Sequence, residues 1–194
     1  MTITGLILAG GRGTRMDSVD KGLQLLRGVP MAQHVATRLR PQVTHLMINA
    51  NRNLPEYEAI CTPVWPDVMA DFAGPLAGLQ TGLMHCQTTY LMTAPCDSPF
   101  LPVDLVARLM AGMQAQQADL SVAMTGPPER PQSHPVFCLL HIKLLPHLTE
   151  YLQKGGRKFE SWYSTLPAAR VHFDDEAAFR NINTHEELQR YEVD

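Results

Sequence analysis

Long apolar runs are missing from this sequence. The run ITGLILA at residues 3–9 is far too short to cross a bilayer, and no basic residue precedes it as a signal peptide would require. The expectation is a buried strand in a cytoplasmic protein with no membrane partner. Basic excess is missing too. The net charge is -3, so no field is available to grip nucleic acid non-specifically, and any anion site must be local. Cysteine is scarce. Cys61, Cys86, Cys96 and Cys138 form no C-x-x-C pair and lie at no zinc-finger spacing with a histidine, which leaves free thiols in a reducing compartment. Internal repeats and low-complexity segments are absent.

Two phosphate-binding signatures are also missing. There is no Gly-Lys dipeptide, so the P-loop pattern cannot occur. The dinucleotide fingerprint G-x-G-x-x-G fails because Met16 stands at its third glycine. P-loop ATPase chemistry and hydride transfer both lose ground.

What is present is an alternation of strands and helices over 194 residues, enough for one domain. Strands are expected at residues 3–9, 43–51, 63–67, 89–97, 118–124, from 136, and at 169–174. Helices are expected after Pro30 and ending near Pro41, then around 55–60, 74–86, 101–113, 146–153, 158–166 and at the C-terminal end. Thr184 and Glu187 form a capping box for the last of these. Residues 125–135 read as a proline-rich loop, with His134-Pro135 as a fixed turn. The pattern predicts an α/β fold: a Rossmann-like three-layer α/β/α sandwich with a mainly parallel, partly mixed sheet.

In such sheets, ligands lie beyond the carboxyl ends of the strands. The segment LILAGGRGTRM (residues 6–16) leaves the first strand at that end. Glycines there let backbone N–H groups approach an anion, and Arg12, Arg15 and Lys21 add positive charge. A phosphate cradle is expected, against the alternative of a turn that needs glycine only for its geometry. Asn49 and Asn51 are two apart at a strand end and share a face. Their amides would meet a base or ribose, or else close an Asx turn. Asp97 ends a strand where phosphates would lie. Magnesium takes one or two carboxylates and keeps several waters, so Asp97 suits a metal ligand, against the alternative of a helix N-cap.

LAGGRGTRM…DKG (8–22), NAN (49–51), D…GPLAGL (67–79), PCDSPFLP (95–102), HPV (134–136) and NINTHEEL (181–188) occur in that order. The set resembles the molybdenum cofactor guanylyltransferases of the molybdopterin nucleotidyltransferase family, along nearly the whole chain. The resemblance implies one nucleotidyltransferase domain over 1–194, with the nucleotide held mainly by residues 1–100 and the pterin substrate mainly by 101–194. It implies transfer of GMP from GTP to the terminal phosphate of molybdenum-molybdopterin, with Mg2+, giving the guanine dinucleotide cofactor and pyrophosphate. Leu8, Ala9 and Gly10 would meet the nucleotide and Gly11 would shape the turn. Similar cytidylyl enzymes carry Leu-Ala-Ala-Gly here, and the extra room at Gly10 suits a purine.

Arg15 and Lys21 would lie along the phosphates as catalytic groups beside Asp97. Asn49, Asp67 and Gly78 would hold the nucleoside, with the Asp67 carboxylate facing guanine N1 and N2. Asn181 and Asn183, again two apart as if on one strand face, would contact the pterin substrate. Asp17-Ser18 stands where the family commonly has Gly-Gly, and Asp17 brings a negative charge that opposes a triphosphate. A monomer is expected, handing its product to other cofactor-biosynthesis proteins and molybdoenzyme chaperones. Three alternatives stay open: a cytidylyltransferase for the same cofactor, a sugar-phosphate nucleotidyltransferase, and a non-catalytic nucleotide sensor or cofactor carrier.

Overall fold

The six residues Ile3–Leu8 are all buried, and that strand, β1, is the axis of the molecule. The structure, a computed structural model, describes residues 2–10, 20–69 and 74–191. The arginine-bearing loop with Gly11, Arg15 and Asp17 lies outside these residues. After β1 come β2 (Leu25–Leu26), β3 (Val29–Pro30), α1 (Met31–Leu39), β4 (His45–Asn49), α2 (Leu54–Ile60), β5 (Val64–Trp65), α3 (Pro75–His85) and β6 (Tyr90–Pro95). The second half adds α4 (Leu105–Ala115), β7 (Leu120–Thr125), β8 (Gln132–His141), α5 (Leu145–Gln153), α6 (Phe159–Tyr163), β9 (Ala168–His172) and α7 (His185–Arg190). Among the described residues no helix is long and apolar enough to cross a membrane.

Seven strands form one sheet in the order β5-β4-β1-β6-β8-β7-β9. All neighbouring pairs are parallel except those of β8, which runs antiparallel to β6 and β7. This is the mainly parallel, partly mixed sheet expected from the alternation. Side chains of β1 alternate between two cores, as a strand's period of two requires. Ile3 and Ile7 pack under α1, α2 and α4 with Leu39, Tyr57 and Leu109. Leu6 and Leu8 pack under α3, α5 and α6 with Leu79, Leu148 and Trp162. Burying a Leu or Ile side chain stabilises by roughly 1.5–3 kcal/mol, so both faces hold the strand and the sheet is covered on both sides.

Three expectations need correction. The proline-rich loop is shorter than residues 125–135, because β8 begins at Gln132. His134 is therefore in a strand, paired with Ala123, and Pro135 falls in the register shift between Val122 and Ala123. Proline lacks a ladder donor, and such an irregularity is where a sheet tolerates it. Asn181 and Asn183 lie in no strand; their segment is tied down by Ile182 N–H donating to the Asp97 carbonyl at 2.8 Å. The hairpin β2–β3 was not foreseen. Its two-residue turn, Arg27-Gly28, has positive φ at both positions (53° and 76°), as a type I′ turn needs, but without the Asn-Gly that usually announces one. The capping box at α7 is present as expected.

Candidate active site

The strand register brings the predicted residues to one level. Leu8 pairs with Asn49 on one side and with Pro95 on the other, so β4, β1 and β6 end together. The segment after Leu8 leaves between two clusters about 10 Å apart, two strand spacings.

The first cluster is made of amides around one carboxylate. The Asn49 side-chain amide donates to Asp67 Oδ1 at 2.8 Å and to the Trp65 carbonyl at 3.0 Å. The Asn51 amide donates to Asp67 Oδ2 at 2.8 Å, and Asn51 Oδ1 accepts from the Asp67 backbone N–H at 2.7 Å. Neither asparagine side chain closes an Asx turn; both hold Asp67. Nor does Asp67 cap a helix, since α3 starts later, after Gly74. Two glycines close on this cluster. A Cβ on Gly10 would stand 2.9 Å from Asn49 Oδ1, and one on Gly78 only 2.2 Å from it. One turn further along α3, a Cβ on Gly82 would meet Leu6 Cδ2 at 2.3 Å. The face of α3 that carries these glycines therefore lies directly on β1 and Asn49, and no larger residue fits at Gly78 without displacing the amide.

The second cluster is charged. Asp97 is 7% exposed. Its carboxylate faces the Lys21 ammonium at 3.5 Å, a loose pair, and Lys21 also donates to Asn183 Oδ1 at 2.5 Å. Burial pushes the Asp97 carboxyl above its ordinary range, and the nearby Lys21 only partly offsets that. Asp97 caps no helix, because α4 begins at Leu105. Lys21 is not the solvated amine that composition alone would favour: its side chain is 22% exposed and doubly partnered. Asn183 thus joins Lys21, while Asn181 accepts from the Ser98 hydroxyl at 2.9 Å.

Beside this cluster is a cavity of about 520 Å³ lined by His134, Phe179, Arg180, Asn181 and Arg190, among others. His134 stacks on Phe179 at 4.9 Å between ring centroids, and its Nε2 lies 2.8 Å from the Thr125 hydroxyl. Burial lowers its pKa and keeps the ring neutral, with Glu176 opposing.

Asn51 was undervalued from the sequence, where Asn49 carried the expectation. Its two-residue spacing from Asn49 was the available signal. Asp20, though part of the D-K-G motif, and Tyr57 carried no expected role. Among the described residues no group of three or more His, Cys, Asp or Glu side chains is arranged to hold a metal.

Comparison with known proteins gives the family. The MobA-like NTP transferase domain family matches residues 5–168. The molybdenum cofactor guanylyltransferase of Cupriavidus taiwanensis is 56% identical over 192 residues, which is 98% of this chain and 96% of that protein. The enzyme of the same name from Ralstonia nicotianae is 55% identical over 193 residues, 97% of this chain and 95% of that one. Among solved structures, molybdopterin-guanine dinucleotide biosynthesis protein A from Archaeoglobus fulgidus superposes with a TM-score of 0.74 at 19% identity, over 97% of this chain and 96% of that one. A 4-diphosphocytidyl-2C-methyl-D-erythritol synthase from Anaerococcus prevotii gives a TM-score of 0.78 at 11% identity, over 99% and 97%. The two structural likenesses speak for the fold alone.

Proposed function

The chain belongs to the MobA-like NTP transferase family, among its molybdenum cofactor guanylyltransferases, and from that premise we propose how its two clusters divide the work. The reaction is attack by the terminal phosphate of molybdenum-molybdopterin on the α-phosphorus of GTP. A new P–O bond forms, the bond to the β-phosphate oxygen breaks, and pyrophosphate leaves. A phosphate nucleophile is already ionised at neutral pH, so no general base is required. The protein's task is positioning and charge neutralisation.

The observation that carries this reading is the contrast between a clamped acceptor and an under-neutralised carboxylate on either side of β1. Each Asp67 oxygen accepts one asparagine amide and keeps another lone-pair direction for a base. Guanine offers N1–H and N2–H as two adjacent donors. Cytosine and adenine present no such donor pair to a carboxylate. A Cβ at Gly10 or Gly78 would crowd Asn49, so glycine at both positions leaves that amide free to hold Asp67. Leu8, Ala9 and Gly11 complete the nucleotide side, with Arg15 and Lys21 along the phosphates.

Asp97 fits a magnesium ligand on this structure's own terms. It is a buried carboxylate whose cationic neighbour among the described residues, Lys21, stands 3.5 Å away, and magnesium asks for one or two carboxylates plus phosphate oxygens and water. When bound with GTP, the ion would supply positive charge to the phosphoryl oxygens as negative charge develops there. Lys21 adds its own charge from the protein side, held in place by Asn183. The cavity lined by His134, Arg180, Asn181 and Arg190 is the seat we assign to the pterin substrate, so residues 1–100 mainly hold the nucleotide and 101–194 mainly the acceptor. A monomer in the cytoplasm, passing product to cofactor-biosynthesis proteins and molybdoenzyme chaperones, completes the reading.

Calorimetric titration tests it. With magnesium present, GTP binds more tightly than CTP or ATP. Asp67→Asn, which replaces an acceptor oxygen by a donor, removes that preference. Tighter binding of CTP by the parent protein would refute the guanine assignment.

A further inference from the structure

Lys21 sits in the sequence Asp20-Lys21-Gly22, and the two flanking residues have contacts that the chemistry above leaves unused. The Asp20 carboxylate is engaged by α2. Its Oδ1 accepts from the Tyr57 hydroxyl at 2.5 Å and its Oδ2 from the Asn53 amide at 3.2 Å. Both partners belong to α2, Asn53 as its N-cap residue and Tyr57 one turn further along. Tyr57 is fully buried, packed in the core under β1. Gly22 seats against the same phenol: a Cβ there would stand 2.5 Å from the Tyr57 oxygen and 3.1 Å from Cys96 Sγ. Cys96 immediately precedes Asp97. The turn itself is closed by Leu23 N–H to the Asp20 carbonyl and Gln24 N–H to the Lys21 carbonyl, each at 3.1 Å.

We propose that Tyr57, acting through Asp20, is a positioning residue for the Lys21 ammonium. This rests on the reading of Lys21 as a phosphate-side group. A lysine stem has four rotatable carbons, so its amine is only as well placed as the backbone that carries it. Asp20 pins that backbone on one side of Lys21 and Gly22 fits it to the same phenol on the other. A hydroxyl donating to an ionised carboxylate at this short distance belongs to the stronger hydrogen bonds. Burial holds the phenol protonated, so it remains a donor throughout the neutral range. The two donors also offset the negative charge that Asp20 brings beside Lys21. In the D-K-G step, then, the aspartate anchors, the lysine acts and the glycine fits.

The test is a double-mutant cycle on the full chain, with pyrophosphate release from GTP and molybdopterin as the readout. Tyr57→Phe keeps the ring and removes only the donor. It is expected to lower kcat about tenfold or more, since misplacing a group by an ångström can cost about a hundredfold, while KM for GTP stays within about twofold. In a Lys21→Ala background the same change has no further effect, because the group it positions is gone. Asp20→Ala, which breaks the same link from outside the core, behaves likewise and covers the case where Tyr57→Phe folds poorly. If Tyr57→Phe and Asp20→Ala turn over at the parent's rate, or if their effects multiply with that of Lys21→Ala, the positioning role is wrong. A Lys21→Ala protein as fast as the parent would overturn the Lys21 assignment itself, and this inference with it.

Discussion

The two flanks of β1 are built on opposite principles. On the β4 side, Asp67 makes three hydrogen bonds with two asparagines, its carboxylate accepting two and its backbone N–H donating one to Asn51 Oδ1, all within 2.7–2.8 Å. On the β6 side, a buried carboxylate and a mostly covered lysine ammonium stand 3.5 Å apart, and the carboxyl is pushed upward by burial. The first arrangement has little freedom to move and keeps one acceptor direction open on each oxygen. It suits discrimination, because a site with fixed acceptors rejects a base lacking the matching donors. Among the described residues, the second has only the loosely paired Lys21 to compensate its buried carboxylate. It suits catalysis, because charge arriving with the substrate is worth more where the protein has not already neutralised it.

The sharpest way to break the comparison is Asp97→Ala. Turnover should fall by about a hundredfold to a thousandfold, the scale seen when one electrostatic stabiliser is removed from an active site. GTP affinity measured without magnesium should change little, since the base side is untouched. Steady-state pyrophosphate release and a metal-free titration check both parts. If the substitution abolished guanine discrimination while leaving turnover intact, the assignment of the two flanks would be reversed.

A smaller effect is expected on the other flank. Gly78→Ala would place a methyl 2.2 Å from Asn49 Oδ1 and 2.7 Å from Leu8 Cδ2. Neither neighbour is the free end of a flexible chain: Asn49 is held by Asp67 and Trp65, and Leu8 lies in a filled core. Overpacking of this kind destabilises by about 1–3 kcal/mol. The Asn49–Asp67 contact should loosen, so GTP binding weakens and its margin over ATP narrows, while kcat at saturating GTP falls less than with Asp97→Ala. Thermal unfolding and competitive nucleotide titrations would show it. An unchanged melting temperature would mean that α3 does not rest on β1 as described.

The contrast was only half legible in the sequence. Asp97 and the glycines after Leu8 could be placed because they end apolar runs, and in a parallel sheet the end of such a run is where ligands lie. The Thr184–Glu187 cap was readable because its partners are three residues apart. The contacts that could not be read span longer separations. Asn51 and Asp67 meet across 16 residues, Asp20 and Tyr57 across 37, and Lys21 and Asn183 across 162. Local pattern carries no information about such meetings. Tyr57 itself reads as one more apolar position on α2, and its hydroxyl acquires a role only when the Asp-Lys-Gly turn is folded against it. The antiparallel β8 was hidden for another reason: a proline beside His134 argues for a turn until a register shift gives it a place.

The smallest effect concerns stability rather than rate, and it asks whether the β6 flank is truly short of charge. A carboxyl whose folded-state pKa lies above its unfolded value, about 3.9 for aspartate, makes the folded protein the better proton binder. Folding then carries a cost that is fully present above the folded-state value, shrinks as pH falls through it, and vanishes below the unfolded value, where both states are protonated. Asp97 is shifted in that direction by burial, with Lys21 already counted against it. Asp97→Asn mimics the protonated form at every pH. In metal-free buffer without nucleotide, the variant should therefore melt above the parent at pH 7–8, and the gap should close as pH falls toward the ordinary carboxylate range. Other titrating groups are common to both proteins and cancel in the difference. A gap independent of pH, or a variant less stable than the parent at pH 8, would show that Lys21 and Asn183 already compensate the carboxylate, and that the two flanks differ less than their geometry implies.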